Sequence, residues 1–523
     1  MSDQRMSSPR WKVYVVDRVD GVFAVVALLL GYVAWNWVWP RVGTVIAHTS
    51  DGGSVYNRLF FPGIGVTLFF VVALGCSVAY FQLSRVRLSW RGVVGAVVIL
   101  LGAIPFSLYD TTPVHVIAGG LLVLGYVTWH GYVARTAVGA SGGLMIDAVN
   151  QVLPVPVGNL GAWGASLRHQ LRGRKKGSQI VFAVVGVLVA LPLIGVVVVL
   201  LMNSDPGFQS WMDSVAHSFT RVSPWTFLWQ FSLGIPLAVY WFASLYGNAH
   251  PGRARVLTQS RTREAARAAH TIATVALAAP MALLCLIYVV FFAAMGAYLF
   301  SAFASHLPHQ YTYAEYARQG FFELTVVAGI NLAVVGFSYV VAQRHGRAYP
   351  RVLRIFGVVL SGLTLLLIAT AISKMILYID MFGLTRLRLY TTWFMIVMFA
   401  VFLIVGARHV RRFRVGVPVL LISLVSFLGL AWANTDALIA DYDVDRYLSG
   451  DLATVDVMYL SQGLSSASLP ALTTLSEQAS SPELRAQAGA ALAQMSRERS
   501  SVGTPWTAWN WQLWQGDRSL AGR

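Results

Sequence analysis

Residues 354–378 read RIFGVVLSGLTLLLIATAISKMILY. After the first arginine, the stretch contains a single charged residue, Lys374. A helix needs about 20 apolar residues to cross the roughly 30 Å hydrocarbon core of a bilayer, so this stretch predicts a transmembrane helix. Ten similar runs lie at 21–39, 62–81, 91–108, 113–134, 179–202, 225–246, 271–303, 320–342, 390–407 and 414–433. The sequence therefore predicts an all-α polytopic membrane protein with eleven spans.

The composition excludes a soluble globular protein. Of the 523 residues, 56% are hydrophobic and only 12% are charged, and the mean hydropathy is +0.62. The charged fraction is about half of what a soluble domain of ordinary composition carries. Both cysteines, Cys76 and Cys285, lie inside apolar runs, which argues against a disulfide framework. The sequence predicts no metal site and no cofactor, and it contains no phosphate-binding or dinucleotide-binding motif.

The basic residues predict the orientation of the chain. With the N-terminus inside, the inner segments contain 26 lysines and arginines, whereas the outer loops before the C-terminal segment contain six. Basic residues concentrate in cytoplasmic loops, so this distribution predicts an N-in, C-out topology. It also accounts for the net charge of +17 without a nucleic-acid partner.

Composition divides the chain into four parts. We expect a four-span part (1–134), a Gly-rich basic cytoplasmic linker (135–178), a seven-span core (179–433) and a helical tail outside the membrane (434–523). The linker ends in the basic run 172–176, which either binds anionic lipid headgroups or serves only as ordinary topology charge.

The tail, residues 434–523, differs from the rest in its charge. It contains ten acidic residues against six arginines, and residues 468–478 and 481–497 predict two helices. Four tryptophans follow within nine residues, at 506, 509, 511 and 514. Such a cluster is expected to fold back onto the membrane interface or to cover the two helices.

Charged residues near the outer ends of the last spans form the candidate ligand-binding cluster. Its members are Glu315, Arg318, Glu323, Lys374, Asp380, Arg386, Arg388 and Tyr390. Glu323 and Lys374 lie about one turn inside their spans, where an ionisable group is costly. Capping of a helix is an alternative role for Glu315, and so is snorkelling to the interface for Lys374.

Arg386 and Arg388 are the unusual members of this cluster. They lie on the outer side against the general charge trend, and they open a helix, where the dipole disfavours cations. We therefore expect them to have partners, either Asp380, Glu315 and Glu323 or an anionic ligand. A guanidinium suits a carboxylate or phosphate because its planar fork binds two oxygens at once.

Four short stretches resemble signatures of a bacterial integral-membrane family, the domain of unknown function 4153/4173 group. They are residues 313–324, 383–390, 434–440 and the pair 509–510. In the third stretch a threonine replaces the family's usual proline, so a looser turn is expected there. The resemblance covers roughly residues 250–515, and it implies multi-pass helices, a small extracytoplasmic helical tail and a bacterial cell-membrane location.

Three functions remain open from the sequence. The first is an envelope-associated scaffold or regulator whose tail contacts an envelope protein. The second is a carrier for a small anionic solute or lipid, which uses the outer charged cluster. The third is an extracytoplasmic transferase with a polyprenyl-linked donor, in which Asp51 of the first outer loop is the catalytic base. The lipid bilayer is the one partner common to all three.

Overall fold

The structure is a computed structural model. It describes residues 14–38, 41–47, 54–60, 62–135, 144–170, 223–250, 272–300, 321–342, 350–411, 413–500 and 505–521, with five single positions between 194 and 204.

Helices make up most of the described chain. In the first half they are α1 (Arg18–Val38), α2 (Ile64–Leu83), α3 (Trp90–Ala103), α4 (Pro105–Leu108), α5 (Thr112–Val133), α6 (Leu144–Val152) and α7 (Pro154–Gln170). In the second half they are α8 (Ser223–Ala249), α9 (Thr274–Phe300), α10 (Phe321–Val341), α11 (Arg351–Phe382), α12 (Arg386–Val410) and α13 (Gly416–Trp432). The tail contains α14 (Thr435–Leu448), α15 (Leu469–Gln478), α16 (Pro482–Ser500) and α17 (Trp511–Ala521).

A short β-hairpin lies between α1 and α2. Its strands, β1 (Arg41–Ala47) and β2 (Ser54–Phe60), pair antiparallel with Arg41 opposite Phe60. Within the described residues, this hairpin is the departure from the all-α prediction. Asp51, the base assigned to a transferase, lies outside the described residues.

Seven helical stretches are long and apolar enough to cross a membrane, and one of them, Trp90–Leu108, consists of α3 and α4 together. An eighth crossing is obtained if α13 and α14, which are bent by 63° at their junction, count as one span. We treat α14 as part of the tail, because it contains four aspartates and an arginine within 14 residues. The helices α8 and α10 coincide with two more of the predicted spans, whereas the predicted span 179–202 lies outside the described residues except for four single positions.

The apolar helices pack into two bundles. The first bundle joins α1 to α5 with α7 and α8 around one apolar core, which includes Phe70, Phe81 and Phe242. The second bundle consists of α9, α10, α11 and α12. Within it, Asn331 of α10 connects α9 to α11. Its amide accepts a hydrogen bond from Tyr288 of α9 (2.8 Å) and donates one to Thr364 of α11 (2.9 Å).

Helix α13 connects the two bundles. Its Trp432 donates an indole hydrogen bond to the carbonyl oxygen of Leu101 in α3 (2.9 Å). On its other side, Trp393 of α12 donates to the carbonyl oxygen of Ser426 (3.2 Å). The tail then follows directly from α13, so it begins between the two bundles.

Candidate functional site at the junction of the second bundle and the tail

A tight turn between α11 and α12 positions the predicted arginines. Gly383 has φ +74°, a conformation that glycine adopts without strain. A Cβ at this position would lie 2.6 Å from a carboxylate oxygen of Asp443, and that oxygen accepts a hydrogen bond from the Leu384 amide (2.6 Å). Thr385 then caps α12 by accepting from the Arg388 amide (3.4 Å). The turn is therefore built directly against α14 of the tail.

Arg386 forms a two-pronged ion pair with Asp436 of α14. Its Nε donates to Oδ1 (2.7 Å), and its second guanidinium nitrogen contacts Oδ2. The Asp436 side chain is fully buried and also accepts from the Ser465 amide (2.9 Å). The backbone amide of Arg386 donates to the Tyr459 hydroxyl (2.8 Å). The partner of Arg386 is thus a tail aspartate that the sequence did not indicate.

Arg388 lies against the end of the preceding helix. Its guanidinium donates to the carbonyl oxygens of Phe382 (2.8 Å) and Gly383 (2.6 Å) and lies 4.2 Å from the centre of the Tyr378 ring. A cation is favourable at a helix C-terminus. The chain therefore tolerates a second arginine at the start of α12, because the guanidinium of Arg388 pairs with carbonyl oxygens at the C-terminus of α11.

Two weaker contacts complete the junction. The Tyr390 hydroxyl lies 3.0 Å from the Thr435 hydroxyl. Asp380 forms an ion pair with Arg446 (2.8 Å), and 49% of the Asp380 side chain and 25% of the Arg446 side chain are exposed. Exposed pairs of this kind contribute little to stability. We call the set Asp380, Arg386, Arg388, Tyr390, Asp436, Asp443 and Arg446 the charged junction.

Burial changes the acidity of the tail carboxylate that lies against the turn at Gly383. Desolvation raises the pKa of Asp443 to about 6, against the opposing effects of the Leu384 amide and of Arg388. The carboxylate remains the acceptor that fixes the turn at Gly383, so its protonation state and the geometry of the turn are coupled.

The other predicted residues lie away from this junction or outside the described chain. Lys374 is 2% exposed in α11, one turn before Tyr378, so it does not snorkel to the surface. Glu323 is exposed on α10. Glu315 and Arg318 lie outside the described residues. The structure therefore brings together Asp380, Arg386, Arg388 and Tyr390 of the eight predicted residues.

The tail also contacts the first bundle. The amides of Gly63 and Ile64 at the start of α2 donate to the carbonyl oxygens of Thr507 and Trp509 (2.8 Å each), which satisfies donors that a helix start leaves free. The ring of Trp506 meets that of Trp37 edge-on at 5.3 Å.

A second contact with the first bundle lies at the turn between α4 and α5. There, Asp110 accepts from the hydroxyl of Ser466 (2.9 Å). The tail thus holds both bundles at the same end, which we call the tail side.

Two of the stretches that carried the family resemblance meet in space. Arg386 and Tyr390 belong to 383–390, and Thr435 and Asp436 belong to 434–440. Sequence reasoning missed Asp436, Asp443 and Arg446 as partners. The presence of Asp436 inside a signature stretch was the one available signal.

The chain belongs to the family described as domain of unknown function (DUF4153), which matches residues 69–475. The match begins far earlier than the region that showed the resemblance in the sequence, so it includes most of the first bundle. It ends before the Trp509–Asn510 pair. No curated protein and no solved structure matches the chain.

Proposed function

Starting from a family without an assigned activity, we propose that this member is a membrane-embedded scaffold or regulatory protein of the cell envelope. The observation that carries the proposal is the attachment of the tail to both bundles. Arg386 with Asp436 holds it on the second bundle, and the backbone hydrogen bonds at Gly63 hold it on the first. A tail fixed in this way presents a rigid surface to a partner.

The tail has a core of its own, which supports the same proposal. Leu460, Leu472 and Leu475 are almost completely buried and pack with residues of α14 and α16. The opposite face of α16 is exposed, including Arg485 and Gln487. Recognition surfaces on rigid elements keep their geometry better than those on loops, so α16 is the surface we assign to an envelope protein partner.

We further propose eleven spans, with the N-terminus inside and the tail outside, in the bacterial cell membrane. The distribution of lysine and arginine supports this orientation, and the helices α8, α10 and α13 support spans beyond the seven long ones. In this topology the charged junction and α16 both face the extracytoplasmic space.

Photo-crosslinking tests the scaffold proposal. A photoreactive amino acid replaces Gln487 in the intact chain in its own cells, with Val123, an exposed apolar position of α5, as the matched control. We expect an adduct with one envelope protein at Gln487 that is absent at Val123. We also expect Arg386→Ala to weaken that adduct and Asp445→Asn to leave it unchanged. An adduct that is equally strong at both positions, or no adduct at all, contradicts the proposal.

A carrier for a small anionic solute or lipid is the second candidate. Lys374 favours it, because a lysine buried in a membrane-length helix is a common mark of a transport pathway. A carrier, however, needs its bundles to move against each other, and the tail joins them at one end. The test measures the rate at which a fluorescent phosphatidylglycerol moves between the leaflets of proteoliposomes that contain either the wild-type protein or the Lys374→Met variant. Equal rates in both contradict a carrier role for Lys374.

A further inference from the structure

The pair α6 and α7 has an inverted distribution of polar and apolar side chains. From Leu144 to Leu167 the sequence contains one charged residue, Asp147. From Leu144 to Leu167 the polar side chains are at most 2% exposed; they are Asp147, Asn150, Gln151, Asn159 and Ser166. The large side chains that this stretch exposes are apolar: Val149 (51%), Leu153 (58%), Val157 (58%) and Leu160 (42%). Exposed polar side chains appear only in the last turn of α7, at Arg168 and Gln170. A segment in water shows the opposite pattern.

The buried polar groups attach the pair to the first bundle. Gln151 and Asn248 of α8 exchange two amide hydrogen bonds (3.1 and 2.8 Å). The Trp163 indole donates to the carbonyl oxygen of Ala24 in α1 (3.0 Å). These contacts are side-chain specific, so the pair is an integral part of the bundle rather than a flexible linker.

The contacts also fix the depth of the pair along the bundle. The Tyr240 hydroxyl donates to the carbonyl oxygen of Val152 (2.8 Å), and Tyr240 lies nine residues before the end of α8. At a rise of 1.5 Å per residue this is about 14 Å of helix. The break between α6 and α7 therefore lies beside the apolar part of α8.

Close packing supports the same placement. A Cβ on Gly247 of α8 would lie 2.6 Å from the Asn159 amide nitrogen, and one on Gly21 of α1 would lie 2.6 Å from the Gln170 side chain. Side chains of the pair thus pack directly against the backbone at Gly247 and Gly21. These contacts lie at the end of the bundle where α1 begins and α8 ends. That end is opposite to the tail side.

We infer that α6 and α7 are immersed in the membrane, with Val149, Leu153, Val157 and Leu160 against the lipid acyl chains of the leaflet on this side. This arrangement suits the hydrocarbon, because no polar side chain from Leu144 to Leu167 faces it. The exposed face carries no charge from Leu144 to Leu167. The first basic residue of the pair, Arg168, comes only in the last turn of α7.

Spin labels on single cysteines test this placement in the full chain. Cys76→Ala and Cys285→Ala give the background, and a cysteine replaces Val149, Leu153, Val157 or Leu160 in turn. All four side chains are exposed, so the labels leave the buried contacts of Gln151 and Trp163 intact. Val123 of α5 serves as the lipid-facing control. Arg87, exposed in the turn between α2 and α3 on the same membrane side, serves as the water-facing control.

The protein is reconstituted in phosphatidylcholine–phosphatidylglycerol vesicles, and each label is probed with oxygen and with a water-soluble nickel chelate. We expect all four labels to be accessible to oxygen and shielded from nickel, as at Val123. Nickel accessibility equal to that at Arg87 overturns the inference and places the pair in water. Shielding from both reagents also overturns it, because a protein surface then covers the face.

Discussion

The two attachments of the tail use different parts of the polypeptide. On the second bundle, Arg386, whose side chain is 23% exposed, forms an ion pair with the fully buried carboxylate of Asp436. On the first bundle, the main chain at Thr507 and Trp509 accepts hydrogen bonds from the main chain at Gly63 and Ile64. The first attachment depends on residue identity, whereas the second depends on close approach. A single change of side chain therefore breaks the ion pair on the second bundle, whereas an added side chain at Gly63 breaks the main-chain hydrogen bonds on the first.

The largest expected effect comes from Arg386→Ala. It leaves the fully buried carboxylate of Asp436 without its cation, and the loss of one partner of a buried pair costs about 3 to 5 kcal/mol. Thermal unfolding in detergent measures the loss. The double variant Arg386→Ala with Asp436→Ala serves as the control, and we expect it to be more stable than Arg386→Ala alone. Additive losses contradict the direct pairing.

Gly63→Ala tests the main-chain attachment. The new Cβ would overlap the carbonyl oxygen of Trp509 and lie 2.8 Å from that of Ala508, so the tail must move away from α2. We expect a loss of about 1 to 3 kcal/mol, measured by the same unfolding. Gly75→Ala in the same helix is the matched control, since nothing lies within 4 Å of its added Cβ. Equal effects of the two substitutions refute the close contact.

The raised pKa of Asp443 predicts a pH dependence of stability. Because the pKa is about 6 in the folded protein and 3.8 for the free group, the native state binds the proton more tightly than the unfolded chain. The free energy of unfolding therefore falls as the pH rises from about 4 to 6, by at most about 1.4 kcal/mol per pH unit. Asp443→Asn removes this component, and the exposed Asp445→Asn retains it. A slope unchanged by Asp443→Asn contradicts the assignment.

Asp380→Asn has the smallest expected effect. The Asp380–Arg446 pair lies at the surface, so its loss costs less than about 1 kcal/mol and depends on salt. A loss as large as that of Arg386→Ala would place this pair, instead of Arg386 with Asp436, at the centre of the attachment.

The long apolar helices were predictable from the sequence because the bilayer imposes a length on every apolar helix that crosses it. The predicted span 21–39 corresponds to α1 at Arg18–Val38, and 62–81 to α2 at Ile64–Leu83. The partner of Arg386 was not predictable in this way, since Asp436 is 50 residues distant and no local pattern joins them. Charge placement alone indicated that Arg386 needed an anion.

The segment 135–178 illustrates a different limit of sequence reasoning. Its glycines and its terminal basic run led to the expectation of a cytoplasmic linker, yet residues 144–170 form α6 and α7 packed on α1, α5 and α8. The two helices are short, and their polar residues face the bundle, so neither gives the long apolar run that marks a span. The hairpin β1–β2 was missed for a similar reason, because a short loop carries little periodic signal.

The most direct test of the rigid tail is a distance measurement between two spin labels, one replacing Gln487 on α16 and one replacing Arg87 in the turn between α2 and α3. Both positions are exposed, and they lie on the tail and on the first bundle respectively. Pulsed electron–electron double resonance on the protein in vesicles gives the distribution of distances between the two spin labels. We predict a single narrow distribution in the chain that carries Cys76→Ala and Cys285→Ala, and a broad one when Gly63→Ala is added, because the new Cβ separates the tail from α2. A broad distribution already present without Gly63→Ala would contradict a tail held by both bundles.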